Sequence, residues 1–311
     1  MWAAHTDTSK QEHGLKNIEG AFTTQSRVFW PYRLVTGIFQ YLLERYSERF
    51  SLETRTPVNS ITVAQDSDSA YPYVLTTPRG VIRAAKVFHC VSAFTGHLLP
   101  KFRGPVFPCR LTMSAAEPGP QFGNRAVSWL WRIPQTYDPE TGLVEQGLYW
   151  MQQNAETGDL FYGGDIQKLG DFIAANDSTV SVDAANNLKT LLPKRIFARG
   201  WTDPSTGAQI SSIEPHHTWC GILSMTADQL AIVGAVPTSL SGRNIDGGEW
   251  VAAGFNGYGM GQCWSSGEAI ARMAWGEPKP EWLPDVYLST EERLTSPYMS
   301  TEAALGSFLQ R

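Results

Sequence analysis

Long apolar runs are missing from this sequence of 311 residues. A helix that crosses a bilayer takes about 20 consecutive apolar residues, so no membrane span is expected. The opening residues, Met1-Trp2-Ala3-Ala4-His5 through Gly14, are polar and lack the apolar centre of a signal peptide, which points to the cytoplasm. Charge is sparse at 18%, the net charge is -5, and no Lys/Arg run interrupts the mixed pattern. That argues against nucleic acid and against a polybasic membrane anchor as partners. Cysteine is rare as well. Cys90, Cys109, Cys220 and Cys263 form no CxxC and no zinc spacing, so reduced and mostly buried thiols are expected. Glu214, His216 and His217 come nearest to a metal cluster, but neighbouring histidines on a strand point to opposite faces, so no metal is expected. There is no GxSxG elbow, no Walker motif and no internal repeat.

Aromatic residues, in contrast, make up 12% of the chain, with 11 Trp. Core packing accounts for most such residues, and a lined pocket for some. Pro31 suits a first helical position, and Leu34, Ile38, Tyr41 and Leu42 follow at helical spacing, which predicts a helix near 31–47. Val58–Val63, Tyr73–Thr76 and Val81–Ala84 read as a β-meander, joined through Asp66–Ser69 and Pro78-Arg79-Gly80. Val87-Phe88-His89-Cys90-Val91 has the composition of a strand buried on both faces. Strands are also expected over Pro105–Ser114, Ala126–Ile133, Leu148–Gln153, Leu160–Gly164, Ile196–Trp201, His217–Leu223 and Ala231–Gly234. A helix near 178–192 lies among them. A final helix, 260–275, carries Met260, Trp264, Gly267, Ala271 and Trp275 on one face and Cys263, Ile270 and Ala274 on another, and reads as largely buried. Pro278, Pro280 and Pro284 end the compact region, leaving a loosely packed tail.

The most informative stretch is Glu249 to Met260. A strand ends, a glycine-rich loop follows, and a helix begins. Glycines let backbone approach a ligand closely, and free N–H groups at a helix start attract negative charge, as on a phosphate or an electron-rich ring carbonyl. A glycine-rich turn forced by tight packing is the other reading, and glycine spacing does not choose between them.

The run Gly254-Phe255-Asn256-Gly257-Tyr258-Gly259-Met260, followed by Gly267-Glu268-Ala269-Ile270, resembles the C-terminal block of the D-amino-acid oxidase (DAO) family of flavoproteins. Trp219, Gly221, Ile222, Thr226, Asp228 and Val233-Gly234 are similar to the segment that leads into that block. Trp30–Thr36, Thr54–Val58 and Tyr71-Pro72-Tyr73 resemble the middle of large fungal members, and Leu98-Leu99-Pro100 and Pro108-Cys109-Arg110 extend the match. The likeness runs from about Gly20 to Leu294, the later part of a complete member. Ala227 and Leu230-Ala231 depart from the family's usual residues.

This resemblance implies a mixed α/β fold. Residues 1–104 would form an incomplete FAD-binding domain of glutathione-reductase type. Residues 105–225 would form a substrate domain built on an antiparallel or mixed sheet, 226–285 a flavin-facing strand–loop–helix, and 286–311 a tail. It implies FAD as cofactor and hydride transfer from a C–N bond of a small amine or amino-acid-like substrate. Gly254, Phe255, Asn256, Gly257, Tyr258, Gly259 and Met260 would lie over the pyrimidine edge of the flavin, with Tyr258 also near the substrate. Val58 would neighbour the adenine. Cys90, Val91 and Ser92 would form a turn near the pyrophosphate, where the family usually has a small residue and a glycine. Arg110, Tyr149 and Tyr162, with Arg132 and Gln152, would belong to the substrate side, although an ordinary salt bridge is the simpler reading of either arginine. The family's first unit, a strand followed by GxGxxG and a helix, has no counterpart among these residues. The resemblance therefore implies a truncated oxidoreductase, in which Val87–Val91 lacks a partner strand and invites self-association or a covering chain. A remnant without redox chemistry, acting as a scaffold or cofactor-free catalyst, is the alternative.

Overall fold

In the computed structural model, residues 2–4, 13–65, 70–125, 127–164 and 166–309 are described. The Asp66–Ser69 turn, Ala126 and most of the first dozen residues lie outside them. The chain divides into two units, one gathering the chain up to Ser26 with Pro108–Leu223, the other Arg27–Phe107 with Ser224–Ser307.

The second unit begins with helix α1 (Pro31–Arg45), opened by its proline, as the spacing predicts. None of its residues is buried, and Tyr32, Leu34, Val35, Phe39, Tyr41 and Leu43 are all exposed. Strands β1 (Ser60–Val63), β2 (Tyr73–Thr77) and β3 (Gly80–Ala84) form the antiparallel meander. Next comes β4 (Val87–His89). The chain then builds the first unit with β5 (Val106–Ala116), β6 (Ser128–Arg132), β7 (Thr136–Asp138), β8 (Leu143–Glu145), β9 (Leu148–Gln153), β10 (Leu160–Gly163), β11 (Ile166–Lys168), helix α2 (Val182–Thr190) and β12 (His217–Thr226). It returns to the second unit with β13 (Ile232–Ala235), β14 (Glu249–Ala253), helix α3 (Gly259–Ala274) and helices α4 (Glu291–Leu294) and α5 (Thr301–Leu309).

In the first unit a five-stranded sheet of order β12-β5-β10-β9-β6 stands beside a smaller sheet of order β11-β8-β7. Its core is aromatic. Phe122, Trp131, Tyr149, Tyr162, Phe197 and Trp201 pack with Leu160, Leu188, Leu191 and Leu192, and Phe122 meets Phe197 edge-on at 4.9 Å between centroids. In the second unit β14 lies between antiparallel β13 and parallel β4. Trp250 and Ala252 turn one face of that sheet onto Ala269, Ile270 and Ala274 of α3. Val251 and Ala253 turn the other onto Leu99, Phe102, Val236 and Leu240. This is the period of two along a strand meeting the wider period of a helix.

Several expectations need correction. The strand expected at Ile196–Trp201 is not one. The helix α2 instead runs on as a π-helical turn, Leu191–Ile196, since Pro193 has no N–H for the α-type bond. The apolar run beyond it is buried as irregular core. Val87–Val91 is not covered on both faces, since Phe88 lies 41% exposed and Cys90 and Val91 are exposed as well. Helix α3 is not largely buried either. Ser266, Ala269, Ile270 and Ala274 alone are buried, while Met260, Trp264 and Trp275 are exposed, since three strands cover only one helical face. Two of the four cysteines, Cys90 and Cys263, are exposed. The tail is not loose. Leu283, Leu294 and Met299 are buried, and Arg293 donates to both Asp228 oxygens (2.8 and 3.2 Å) and to the carbonyls of Leu230 and Ala231. Burial would raise the Asp228 carboxyl, but these bonds outweigh it and hold it below its usual range.

Candidate functional site

At the end of β14 the backbone turns through Gly254 (φ 70°), Asn256 (φ 52°) and Gly257 (φ 86°) into α3. Positive φ at three of four residues makes this a left-handed turn, which glycine and asparagine tolerate best. The Asn256 side chain locks it. Its oxygen accepts from the Thr226 N–H at 2.8 Å, and its nitrogen donates to the Thr226 hydroxyl at 3.0 Å and the Gly254 carbonyl at 2.6 Å. Ser224 holds the same loop, its hydroxyl accepting from Gly254 N–H and its carbonyl from Asn256 N–H.

Helix α3 starts without a side-chain cap on Tyr258 and with no acidic residue in its first turn. Its first N–H groups therefore present an uncompensated positive end. A side chain added at Gly257 or Gly261 would meet nothing within 4 Å, so the loop borders open space. Tyr258 and Met260 are exposed beside it. The loop can thus receive an electron-rich group against backbone, on a frame held rigid from behind.

On the neighbouring strand, Cys90 and Val91 are exposed and Ser92 takes φ 51°. The backbone there keeps the shape that a glycine would adopt, although the residue is a serine. Thr95 fixes the turn by donating to the Ser92 carbonyl at 2.7 Å. Ser92→Gly removes a strained β-carbon and leaves that bond in place, so a gain of about 0.5–1 kcal/mol is expected. A urea unfolding midpoint that fell instead would contradict it. Val58 is half-buried against Ile61, Tyr73 and Val87.

The remaining candidates lie in the first unit. Arg110 is buried, with one terminal nitrogen on Asp171 at 2.8 Å and the other toward the Asn176 and Thr179 carbonyls. Tyr149 is fully buried and donates to Glu145, whose other contact is Arg195 at 2.8 Å. Tyr162 is also fully buried, in the aromatic core. Burial pushes both phenols well above their usual range. Arg132 is exposed. Glu214 pairs with Lys189 at 2.8 Å.

Sequence reasoning missed a buried ionic cluster in the second unit. Glu249, at the head of β14, accepts from His89 at 2.8 Å and from two nitrogens of Arg243 at 2.7 Å each. Arg243 reaches on to the carbonyls of Ile61 and Leu98. Burial would raise the Glu249 carboxyl, but the bonds from Arg243 and His89 win and hold it at about 2. Tyr73 is fully buried nearby, and burial together with Glu249 lifts its phenol to about 12. An acid opening the apolar run Trp250–Ala253, six residues after an arginine, was the available signal. The cluster ties the meander, β4 and β14 together, and so aims the two turns described above.

Among solved structures the chain is similar to the open form of NikD, described as an unusual amino acid oxidase essential for nikkomycin biosynthesis, with TM-score 0.58, 14% identity, 96% of this chain and 68% of that one. It is similar to L-proline dehydrogenase from P. horikoshii with TM-score 0.56, 17% identity, 83% of this chain and 59% of that one. It is similar to glycine oxidase from Geobacillus kaustophilus with TM-score 0.52, 19% identity, 78% of this chain and 53% of that one. At these identities the likeness concerns the fold, and the chain spans little more than half the length of the last two. No curated protein matches it. Among the described residues no helix is long and apolar enough to cross a membrane. Residues 2–273 match the family described as DAO, FAD dependent oxidoreductase, and the chain belongs to that family.

Proposed function

We propose that this chain supplies the substrate-domain and flavin-facing parts of an oxidoreductase that acts on small amines or amino acids in the cytoplasm. The observation that carries the reading is the loop Gly254–Met260. It has left-handed backbone at Gly254 and Gly257, open space where a side chain at Gly257 or Gly261 would stand, and an uncapped helix start. These residues fit the electron-rich pyrimidine edge of a flavin. Bound there, FAD would supply the two-electron acceptor for a C–N bond. The chain's own part is orientation. Asn256 and Ser224 hold the loop against relaxation, and Tyr258 offers a phenol and an aromatic face to the substrate side. Cys90, Val91 and Ser92 would border the pyrophosphate and Val58 the adenine.

The nucleotide half fits less completely, since no GxGxxG stands in the sequence. The reading therefore includes a further segment of βαβ type, of the same polypeptide or another, that pairs with the free edge of β4. The uncovered apolar side of α1 supports it, because a helix that buries nothing of its own is otherwise unstable in water. Equilibrium dialysis tests the flavin half directly, with FAD and with riboflavin as probes. Both are expected to bind saturably, and Gly257→Val to weaken both by narrowing the open space. A folded chain that takes up neither would overturn the flavin reading.

A further inference from the structure

Cys90 follows β4 directly and continues its alternation, so it stands on the same side as Phe88, which pairs in register with Trp250. That is the side which α3 covers, through Trp250 and Ala252 against Ala269, Ile270 and Ala274. Cys263 lies seven residues before Ile270, two helical turns along the same stripe. Its sulfur leans back toward the helix start and would stand 3.2 Å from a β-carbon at Gly259. Both cysteines are exposed, while Cys109 and Cys220 are buried. Apart from burial, the one influence on the Cys90 thiol is Cys263 itself.

We propose that Cys90 and Cys263 form a reversible disulfide that fastens the end of β4 to the first turns of α3. The oxidant is a peroxide. One thiolate attacks a peroxide oxygen, the O–O bond breaks, and a sulfenic acid forms with release of water. The second thiol then displaces the sulfenic oxygen as a second water, and the S–S bond closes. Two thiols and one hydrogen peroxide give one disulfide and two waters. Partial burial holds both thiols above their usual range, so at neutral pH they rest protonated and the attacking thiolate is scarce. This inference does not rest on the flavin reading, but the bond would lie at both backbone turns assigned to the flavin.

The chain, reduced and freed of reductant, is treated with hydrogen peroxide and followed by intact mass and peptide mapping. The expected product has lost two hydrogens and yields a Cys90–Cys263 cross-linked peptide. The rate should rise about tenfold from pH 7 to pH 8, following the thiolate fraction. Cys90→Ser and Cys263→Ser should each abolish the product. Should either variant fail to fold, phenylarsine oxide on the unaltered chain replaces it, since arsenic closes a ring only on two adjacent thiols. Oxygen addition alone, a cross-link between chains, or failure to bind the arsenical would each overturn the proposal.

Discussion

Gly254→Ala is expected to destabilise the chain by about 2–4 kcal/mol, measured by urea unfolding. Two costs combine. Placing a β-carbon at φ 70° costs roughly 1 kcal/mol. That carbon would also stand 2.4 Å from the Thr226 Cγ2, well inside contact distance. Thr226 cannot swing away cheaply, since its hydroxyl donates to the Leu230 carbonyl at 3.0 Å and its N–H to Asn256. Overpacking of this sort costs about 1–3 kcal/mol. The two costs separate in a double mutant. Thr226→Ser removes the methyl and keeps the hydroxyl, so Gly254→Ala should be cheaper by about 1–2 kcal/mol in that background. Equal costs in both backgrounds would show that the close approach is not what fixes glycine here.

Removing the carboxylate of Glu249 should cost about 3–5 kcal/mol in Glu249→Ala, the largest single effect expected in the second unit. Breaking a buried pair strands the partner charge, here the largely buried Arg243. His89 loses its acceptor as well. The same carboxylate sets an acid limb. Its pKa in the folded state is held at about 2, below the unfolded value near 4.5. A depressed folded value means stability that is present above the unfolded pKa and is lost as pH falls from about 4.5 toward 2. The linked contribution is roughly 3 kcal/mol. Tyr73 acts at the other end. Its folded value is raised to about 12, so its contribution is present below pH 10 and lost between pH 10 and 12. Unfolding free energies across pH would show the acid limb flatten in Glu249→Gln while the alkaline limb of Tyr73 persists. An unchanged acid slope would remove Glu249 as its source.

Much of the frame was legible in the sequence because local chemistry decided it. Pro31 started α1, the strand-like run Tyr73–Thr76 became β2, and the glycines that follow Glu249–Ala253 marked a loop between a strand and a helix. What the sequence hid depended on neighbours. Periodicity marked Trp264 and Trp275 as an apolar face but cannot say whether anything covers it. Phe88 and Cys90 read as buried on composition, yet β4 ends its sheet. The pairing of His89 with Glu249 was hidden for the same reason, since the two are brought together only by the parallel pairing of β4 and β14. The tail misled because its prolines signal a break, whereas Arg293 supplies enough bonds to dock the segment regardless.

That parallel pairing also bears on the order in which the polypeptide acquires its shape. His89 meets Glu249 across a separation of 160 residues, with Pro108–Leu223 of the first unit encoded between them. During synthesis, α1, the meander and β4 must therefore wait while roughly half the chain emerges and the intervening unit folds. Throughout that interval Tyr32, Leu34, Phe39 and Tyr41 stand uncovered. The newborn chain is a natural client for chaperones, and its yield in a cell-free translation should rise when they are added.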